Sequence, residues 1–360
     1  MHSVVPEKTC DSEAGRSKRS YLKENRTLLL AAWLSLGVGV VLLAIKFFAF
    51  ELTGSQAVFS DASESTVNVI TAITALITMR IAVIPADRNH PYGHGKAEYF
   101  SAVFEGGLLA FAGVLILIEA GSALVRGNEL KELNVGLFLI LIAGAINGCL
   151  GLFLQKIGKK NHSPALVASG KHIFSDCITS AGVLLGLILV KLTGIIWFDP
   201  ITAMIVALLL LKEGWSLVRG SAAGLMDEQD RDVIHQIGHL FDSNAFPGII
   251  RIHHTRIIRS GAFHHINAHV VVPEYWSVEE AHEKTDHFAR QVVQDHENQG
   301  EIHFHVDPCR QAYCKVCSIN DCRVRREPFE HRMPFSIDEL TSPTEPEEFR
   351  KPGKPLPEGE

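Results

Sequence analysis

Residues 166–192 read LVASGKHIFSDCITSAGVLLGLILVKL. The run is apolar enough and long enough to cross a bilayer, yet it carries His172 and Asp176 four residues apart. That spacing puts both side chains on one face of a helix. Ionisable groups inside a membrane are costly unless they face a cavity and bind something. An imidazole and a carboxylate aimed at one point in a helical bundle can hold a divalent metal. The alternative is a buried hydrogen-bonded pair that only joins two helices.

Around this stretch the hydrophobicity is segregated. The chain has 360 residues, room for two domains, and 47% of them are hydrophobic. Nearly all the long apolar runs fall in residues 27–218, and residues 219–360 read as soluble. The net charge of -6 gives no case for a nucleic-acid partner. Six candidate spans appear, at about 27–50, 56–84, 98–125, 133–156, 164–192 and 198–218. The first apolar run is too long for a signal-peptide core and no small-residue cleavage site follows it, so it reads as a retained span. Residues 1–26 form a polar tail with Lys18, Arg19, Lys23 and Arg26. The 85–97 and 156–171 loops are also basic, whereas the 51–55 and 193–198 loops hold no Lys or Arg. The positive-inside rule then puts both termini in the cytoplasm, and an even number of spans agrees with that. The compact chain suggests a bacterial inner membrane.

The second span is unusually polar in its first half. Asp61, Glu64, Ser65 and Asn68 fall at helical spacing on one stripe. Such a stripe faces protein or water, never lipid; a solvated outer vestibule is the bland reading. Lys46, near the outer end of the first span, is expected to snorkel to the interface.

Beyond Arg219 the periodicity changes. An amphipathic helix over 230–243, a strand over 249–258, a turn at Arg259-Ser260-Gly261, a partner strand over 263–272, a helix from Ser277 and a strand over 301–306 predict a small α+β sandwich. This is the 219–308 domain. Residues 309–335 form a Cys-rich extension, and 336–360, rich in Pro, Glu and Lys, are expected to be disordered.

The soluble part holds 13 of the 18 His. In the last strand His303, His305 and Asp307 alternate with Ile302, Phe304 and Val306, so they share the face away from the core. His265, Asn267 and His269 share a face of the second strand, His253 and His254 lie on the first, and His282 lies on the second helix. Imidazoles converging from neighbouring strands with a carboxylate point to zinc-type ligation. The loop after the second span, DRNHPYGHGK over residues 87–96, offers Asp87, His90 and His94, with Gly93 and Gly95 permitting a tight path. An ordinary turn is the competing reading there.

These pieces resemble the cation diffusion facilitator family over about residues 20–309. The resemblance rests on the Asn-His-x-x-Gly-His-Gly-Lys loop, on His172-x-x-x-Asp176 and on His305-x-Asp307-Pro308-Cys309. It implies an all-α six-helix transmembrane bundle followed by a cytoplasmic α+β domain of ferredoxin- or metallochaperone-like fold. It further implies a homodimer that moves divalent transition metals out of the cytoplasm, usually against protons. Carried over residue by residue, it implies a transport site of Glu64 and Asn68 with His172 and Asp176. A loop site would comprise Asp87, His90 and His94. A cytoplasmic site would comprise His253, His269, His282, His305 and Asp307. Lys96 and Asp227 would pair near the dimer interface at the membrane surface. Glu64 and Asn68 depart from the family's usual pair on that span, two Asp or a His and an Asp. Two carboxylates remain, enough to offset a divalent ion. Zinc suits the His-rich cytoplasmic face; iron, manganese, cobalt and cadmium also suit the Glu64 and Asn68 pair.

The resemblance leaves out the tail after Pro308. Cys309, Cys314, Cys317 and Cys322 have the central Cys-x-x-Cys of a structural zinc site, or of an iron–sulfur centre. Cytosolic thiols stay reduced, which argues against a disulfide network; surface cysteines are the plain alternative. The leading expectation is a proton-coupled metal exporter, with a membrane-anchored metal-sensing or assembly protein as the alternative. An enzyme is not indicated, because His282-Glu283 leads to Asp286 where a zinc-protease helix needs His.

Overall fold

Six apolar segments become six long helices. The computed structural model describes residues 26–127, 130–160, 164–261, 263–296, 299–345 and 349. The basic tail before Arg26, and residues 346–348 and 350–360 of the expected disordered end, lie outside the described residues. The helices are α1 (Arg26–Thr53), α2 (Gln56–Ala82), α3 (Ala97–Arg126), α4 (Leu133–Lys160), α5 (Pro164–Thr193) and α6 (Phe198–Leu225). Each contains an apolar window long enough to cross a membrane. The last runs seven residues past the boundary expected at 218. Arg219 marks a drop in hydropathy but does not break a helix, and the small residues after it continue the turns. Asp227, at φ 54°, then takes a left-handed conformation that Asp tolerates.

The chain divides into two compact units, 1–77 with 101–219 and 78–100 with 220–360. In the first, Leu109, Ile116, Ile140, Val183, Leu187 and Leu210 form the apolar centre. Glycine sets one close crossing. A Cβ on Gly151 would meet Gly170 O at 2.9 Å, and one on Gly170 would meet Gly151 O at 2.8 Å. The α4 and α5 backbones therefore touch two residues before His172. At the other end of α2, Asp199 accepts from Ser55 Oγ, from Gln56 N at 2.8 Å and from Ala57 N at 3.2 Å. It caps α2 and fixes where that helix starts.

Lys46 does not snorkel. It is 1% exposed, and its Nζ donates to Asp61 Oδ1 and Ser65 Oγ, both at 2.9 Å. Ser180 of α5 donates to the same Asp61 oxygen at 2.7 Å. The counter-charge on α2 makes inward burial possible where sequence position alone favours the interface.

The second unit contains α7 (Arg231–Asn244), β1 (Arg251–Ser260), β2 (Phe263–Val272), α8 (Val278–Asp295) and β3 (Gln299–Pro308). The sheet order is β1-β2-β3; β1 pairs antiparallel with β2, and β3 returns parallel to β2 after α8. Asp230 caps α7 by accepting from Asp232 N at 3.0 Å, and Ser277 caps α8 by accepting from Glu280 N at 3.1 Å. Ile234, Ile237 and Phe241 of α7 and Phe288 and Val292 of α8 cover Ile252, Ile266, Ala268 and Val270 of the sheet. The alternation expected of β3 holds for Ile302 and Phe304 but weakens at Val306, which is 36% exposed.

The expected disorder from Ser336 onward is corrected over 336–345. Ser336 Oγ accepts from Glu339 N at 3.2 Å and caps a short helix, α9 (Ile337–Thr341). Leu340 is buried, and Ser342 O accepts from His254 N at 3.0 Å. Arg251 of β1 pairs with the Glu339 carboxylate, and both are buried. The polar composition of the tail conceals Phe335, Ile337 and Leu340, which join the core of this unit.

Removing one partner of this buried pair strands the other. Arg251→Ala should cost about 3–5 kcal/mol, read as a lower denaturant midpoint of the purified chain, with Arg251→Met plus Glu339→Met recovering most of it. A second expectation concerns acid. His264 Nδ1 lies 3.0 Å from His296 Nε2. Burial, then the neighbouring His296 and Arg259, push its pKa from the ordinary 6.5 down to about 4. The unfolded chain therefore takes up this proton first, so the contribution to stability is intact above about 6.5 and is lost as pH falls towards about 4. Thermal melts should show that loss, and His264→Gln should make the melting temperature flatter across the same window.

Candidate metal sites

Three clusters of ligand-type side chains are built by three different local structures. The first lies between α2 and α5. Glu64 and Asn68 are one turn apart on α2, as His172 and Asp176 are on α5. Asn68 Nδ2 donates to Asp176 Oδ2 at 2.8 Å, and Asn68 Oδ1 lies 3.3 Å from His172 Nε2. Thr179 Oγ1 donates to Glu64 Oε2 at 3.3 Å and to Asp176 O at 2.9 Å. Glu64 and Asp176 are each 5% exposed. All four residues named from the sequence thus face one another, with the Asn68 amide between the imidazole and the carboxylate. Sequence reasoning missed Thr179, although it continues the helical stripe of His172 and Asp176. It also missed Glu213 of α6, whose Oε1 is 3.7 Å from His172 Nδ1, because that span reads as mostly aliphatic.

The second cluster is the loop from α2 to α3. Asp87 Oδ1 accepts from Asn89 N at 2.8 Å and His90 N at 2.7 Å, a turn that aims the carboxylate at the following imidazoles. His90 Nδ1 lies 3.2 Å and His94 Nε2 3.8 Å from that carboxylate. The amide of His90 is the main reason the Asp87 carboxyl titrates below its ordinary range. Gly93 has φ 76°. A Cβ on Gly95 would stand 2.2 Å from Ser260 O, so only glycine lets the loop reach the β1–β2 turn. Tyr92 meets the His265 ring edge-on at 4.9 Å. Lys96 Nζ reaches both Asp227 oxygens, at 2.8 and 2.9 Å.

The third cluster crosses the sheet. Register puts His253 opposite His269 and His269 beside His305. The β1–β2 register shifts just after His253, and His254 there has φ 52°, the mark of a bulge. The bulge stacks the His254 ring on His269 at 4.8 Å. Asp307 Oδ2 lies 3.0 Å from His269 Nδ1 and 3.7 Å from His253 Nε2, and Asp307 Oδ1 is 3.5 Å from His305 Nε2. Burial is the main cause that lowers the His253 pKa to about 4, which keeps it neutral and able to ligate. His282, expected here, is not in the cluster. It sits on the exposed side of α8, while Ala281, Thr285 and Phe288 turn inward.

Among the described residues, two groups of three or more His, Cys, Asp or Glu have ligand atoms all within 4.8 Å of one another: Asp87, His90 and His94, and His253, His269 and Asp307. The α2–α5 set is wider, spaced by the Asn68 amide. Cys309, Cys314, Cys317 and Cys322 line one cleft, and no three of their sulfurs lie within 4.8 Å of one another. Burial pushes the Cys309 and Cys317 thiols up.

An imidazole, an amide and two carboxyl groups gathered between apolar helices can hold a divalent cation, and the loop and sheet clusters each offer imidazole and carboxylate ligands for one. Residues 32–226 match the family described as cation efflux transmembrane domain, and residues 229–309 match cation efflux protein, cytoplasmic domain. A Synechocystis protein described as an uncharacterised transporter is 35% identical over 253 residues, covering 70% of this chain and 81% of that protein. The cation-efflux pump FieF of Shewanella oneidensis is 27% identical over 280 residues, 78% of this chain and 93% of the pump. The manganese efflux system protein MneS of Bacillus subtilis is 24% identical over 280 residues, 78% of this chain and 95% of that protein. The chain is an integral membrane protein and belongs to the cation diffusion facilitator family of divalent cation efflux transporters.

Proposed function

We propose that this transporter exports zinc from the cytoplasm in exchange for protons through Glu64, Asn68, His172 and Asp176. The observation that carries the reading is the Asn68 amide, held between His172 and Asp176 where α2 meets α5. Ligation needs a neutral imidazole and ionised carboxylates, so arrival of the cation releases protons. Glu64 and Asp176 offset its two charges. The Asn68 side chain gives up both hydrogen bonds and turns its oxygen to the ion. Rocking of the bundle about this site then opens it to the other side of the membrane, where protons return to His172 and a carboxylate and release the cation. Three oxygens and one nitrogen also accept manganese and iron, which take oxygen ligands more readily than zinc does; the manganese relative is consistent with this. The transporter works as a homodimer in a bacterial inner membrane, with both termini cytoplasmic and the Lys96–Asp227 pair near the dimer interface.

The loop cluster of Asp87, His90 and His94 receives metal on the cytoplasmic side. The sheet cluster of His253, His269, His305 and Asp307 senses it, and occupancy there tightens the dimer and biases transport.

Asp176→Ala should abolish metal-driven proton flux in proteoliposomes; undiminished flux would remove Asp176 from the mechanism. Asn68→Asp adds a third carboxylate and should tighten zinc binding about tenfold, equivalent to ~1.4 kcal/mol, as measured by competition with a chelator. Energy transfer between labelled cytoplasmic domains should change with zinc in the parent protein. It should stop responding in His269→Ala with His305→Ala, and an unaltered response would contradict the sensing role.

A further inference from the structure

The extension after β3 lies outside both family matches, which end at residue 309. Its apolar support is one small cluster: Tyr313, Val316, Cys317 and Phe349 with Ile250 just before β1 and Val271 of β2, and Cys309, Ala312, Ile319 and Met333 packed against them. Between Cys309 and Cys322 the regular structure among the described residues is one 3-10 turn, Gln311–Lys315. A segment this poor in core and in backbone pairing needs another source of order.

Cys309, Cys314, Cys317 and Cys322 all line one cleft of about 390 Å³. The loop that carries them is organised by a single side chain. The Arg325 guanidinium donates to Cys314 O and Cys317 O at 2.8 Å each, to Ile319 O at 2.6 Å and to Glu327 O at 3.3 Å. It thus gathers the carbonyls of the Cys-x-x-Cys turn and of the residues after it. Two of the sulfurs accept backbone amides: Cys309 Sγ from Glu274 N at 3.4 Å, and Cys317 from the amide of Ile319, two residues on. Cys309 also anchors the cleft to the sheet, because its N–H donates to Val272 O at 2.7 Å and prolongs the β2–β3 ladder. Arg310, Arg325 and Arg326 line the cleft beside Glu274 and Glu327, and Arg310 pairs with Glu345.

We propose that Cys309, Cys314, Cys317 and Cys322 form a tetrahedral thiolate site for zinc that staples the extension to the end of β3, separate from the transport route. Binding breaks each S–H bond, forms four zinc–sulfur bonds and passes the protons to water; no oxidant or reductant is involved. No three sulfurs lie within 4.8 Å of one another. The irregular loop between Cys309 and Cys322 closes to meet the ion while Cys309 stays on the ladder.

Cobalt as a probe separates this site from the histidine and carboxylate clusters, because only thiolate ligands give an intense sulfur-to-cobalt charge-transfer absorption. The full chain, purified in detergent with reductant, is stripped with chelator and titrated with cobalt. The expected result is a charge-transfer band saturating at one cobalt per chain, with strong tetrahedral bands in the visible, both reversed by zinc. Cys314→Ser with Cys317→Ser should lose the band, whereas His253→Ala with His269→Ala should keep it. Absence of the band from the parent protein, its survival in the double Cys variant, or an iron–sulfur spectrum of the protein as isolated would each overturn the proposal. The parent spectrum decides even if the Cys variant fails to fold.

Discussion

A polar side chain inside an apolar bundle has to be answered by another, and this requirement organises the region between α1, α2 and α5. Asn68 joins His172 to Asp176, Thr179 joins Asp176 to Glu64, and one turn away Lys46 and Ser180 converge on Asp61. Buried as they are, most of these groups bond from one helix to another. The Lys46–Asp61 pair is neutral as a unit. Glu64 and Asp176 are the further carboxyl groups of that buried region. Cohesion between α1, α2 and α5 therefore draws on one stripe of α2, the stripe that holds the candidate site.

The cytoplasmic sheet reaches a similar result by other means. A strand alternates its side chains, and register alone lines up His253, His269 and His305 across three strands. The bulge at His254 then breaks the alternation where the cluster is densest. The same residue's N–H is bonded to Ser342 of the C-terminal strap, and Arg251, two residues before His253, is bonded to Glu339. The strap and the cluster thus share one strand. The Tyr92–His265 contact and the close approach of Gly95 to Ser260 connect the loop cluster to the same sheet.

Much of this was legible in the chain itself. The six spans, the helix–strand–strand–helix–strand order and the facing pairs Glu64–Asn68 and His172–Asp176 follow from apolar length and from the periods 3.6 and 2, which are local properties. Misreadings arose where a distant residue changes the cost of a local choice. Lys46 turns inward because Asp61 waits on the next helix. Residues 336–345 are ordered because Arg251 lies nearly ninety positions earlier in the chain. The family resemblance groups His282 with the other histidines, but the phase of α8 turns it away.

The sequence alone determined which segments cross the bilayer, which face of each helix or strand carries ligand-type atoms, and which family the loop and span motifs resemble. Those properties depend on backbone geometry, which repeats every few residues. Only the tertiary structure decided which of those atoms meet. Asn68 between His172 and Asp176, Asp307 beneath three imidazoles and Arg325 gathering the carbonyls of a cysteine turn are pairings between segments. They are set by how helices cross and strands register, and no local period encodes that.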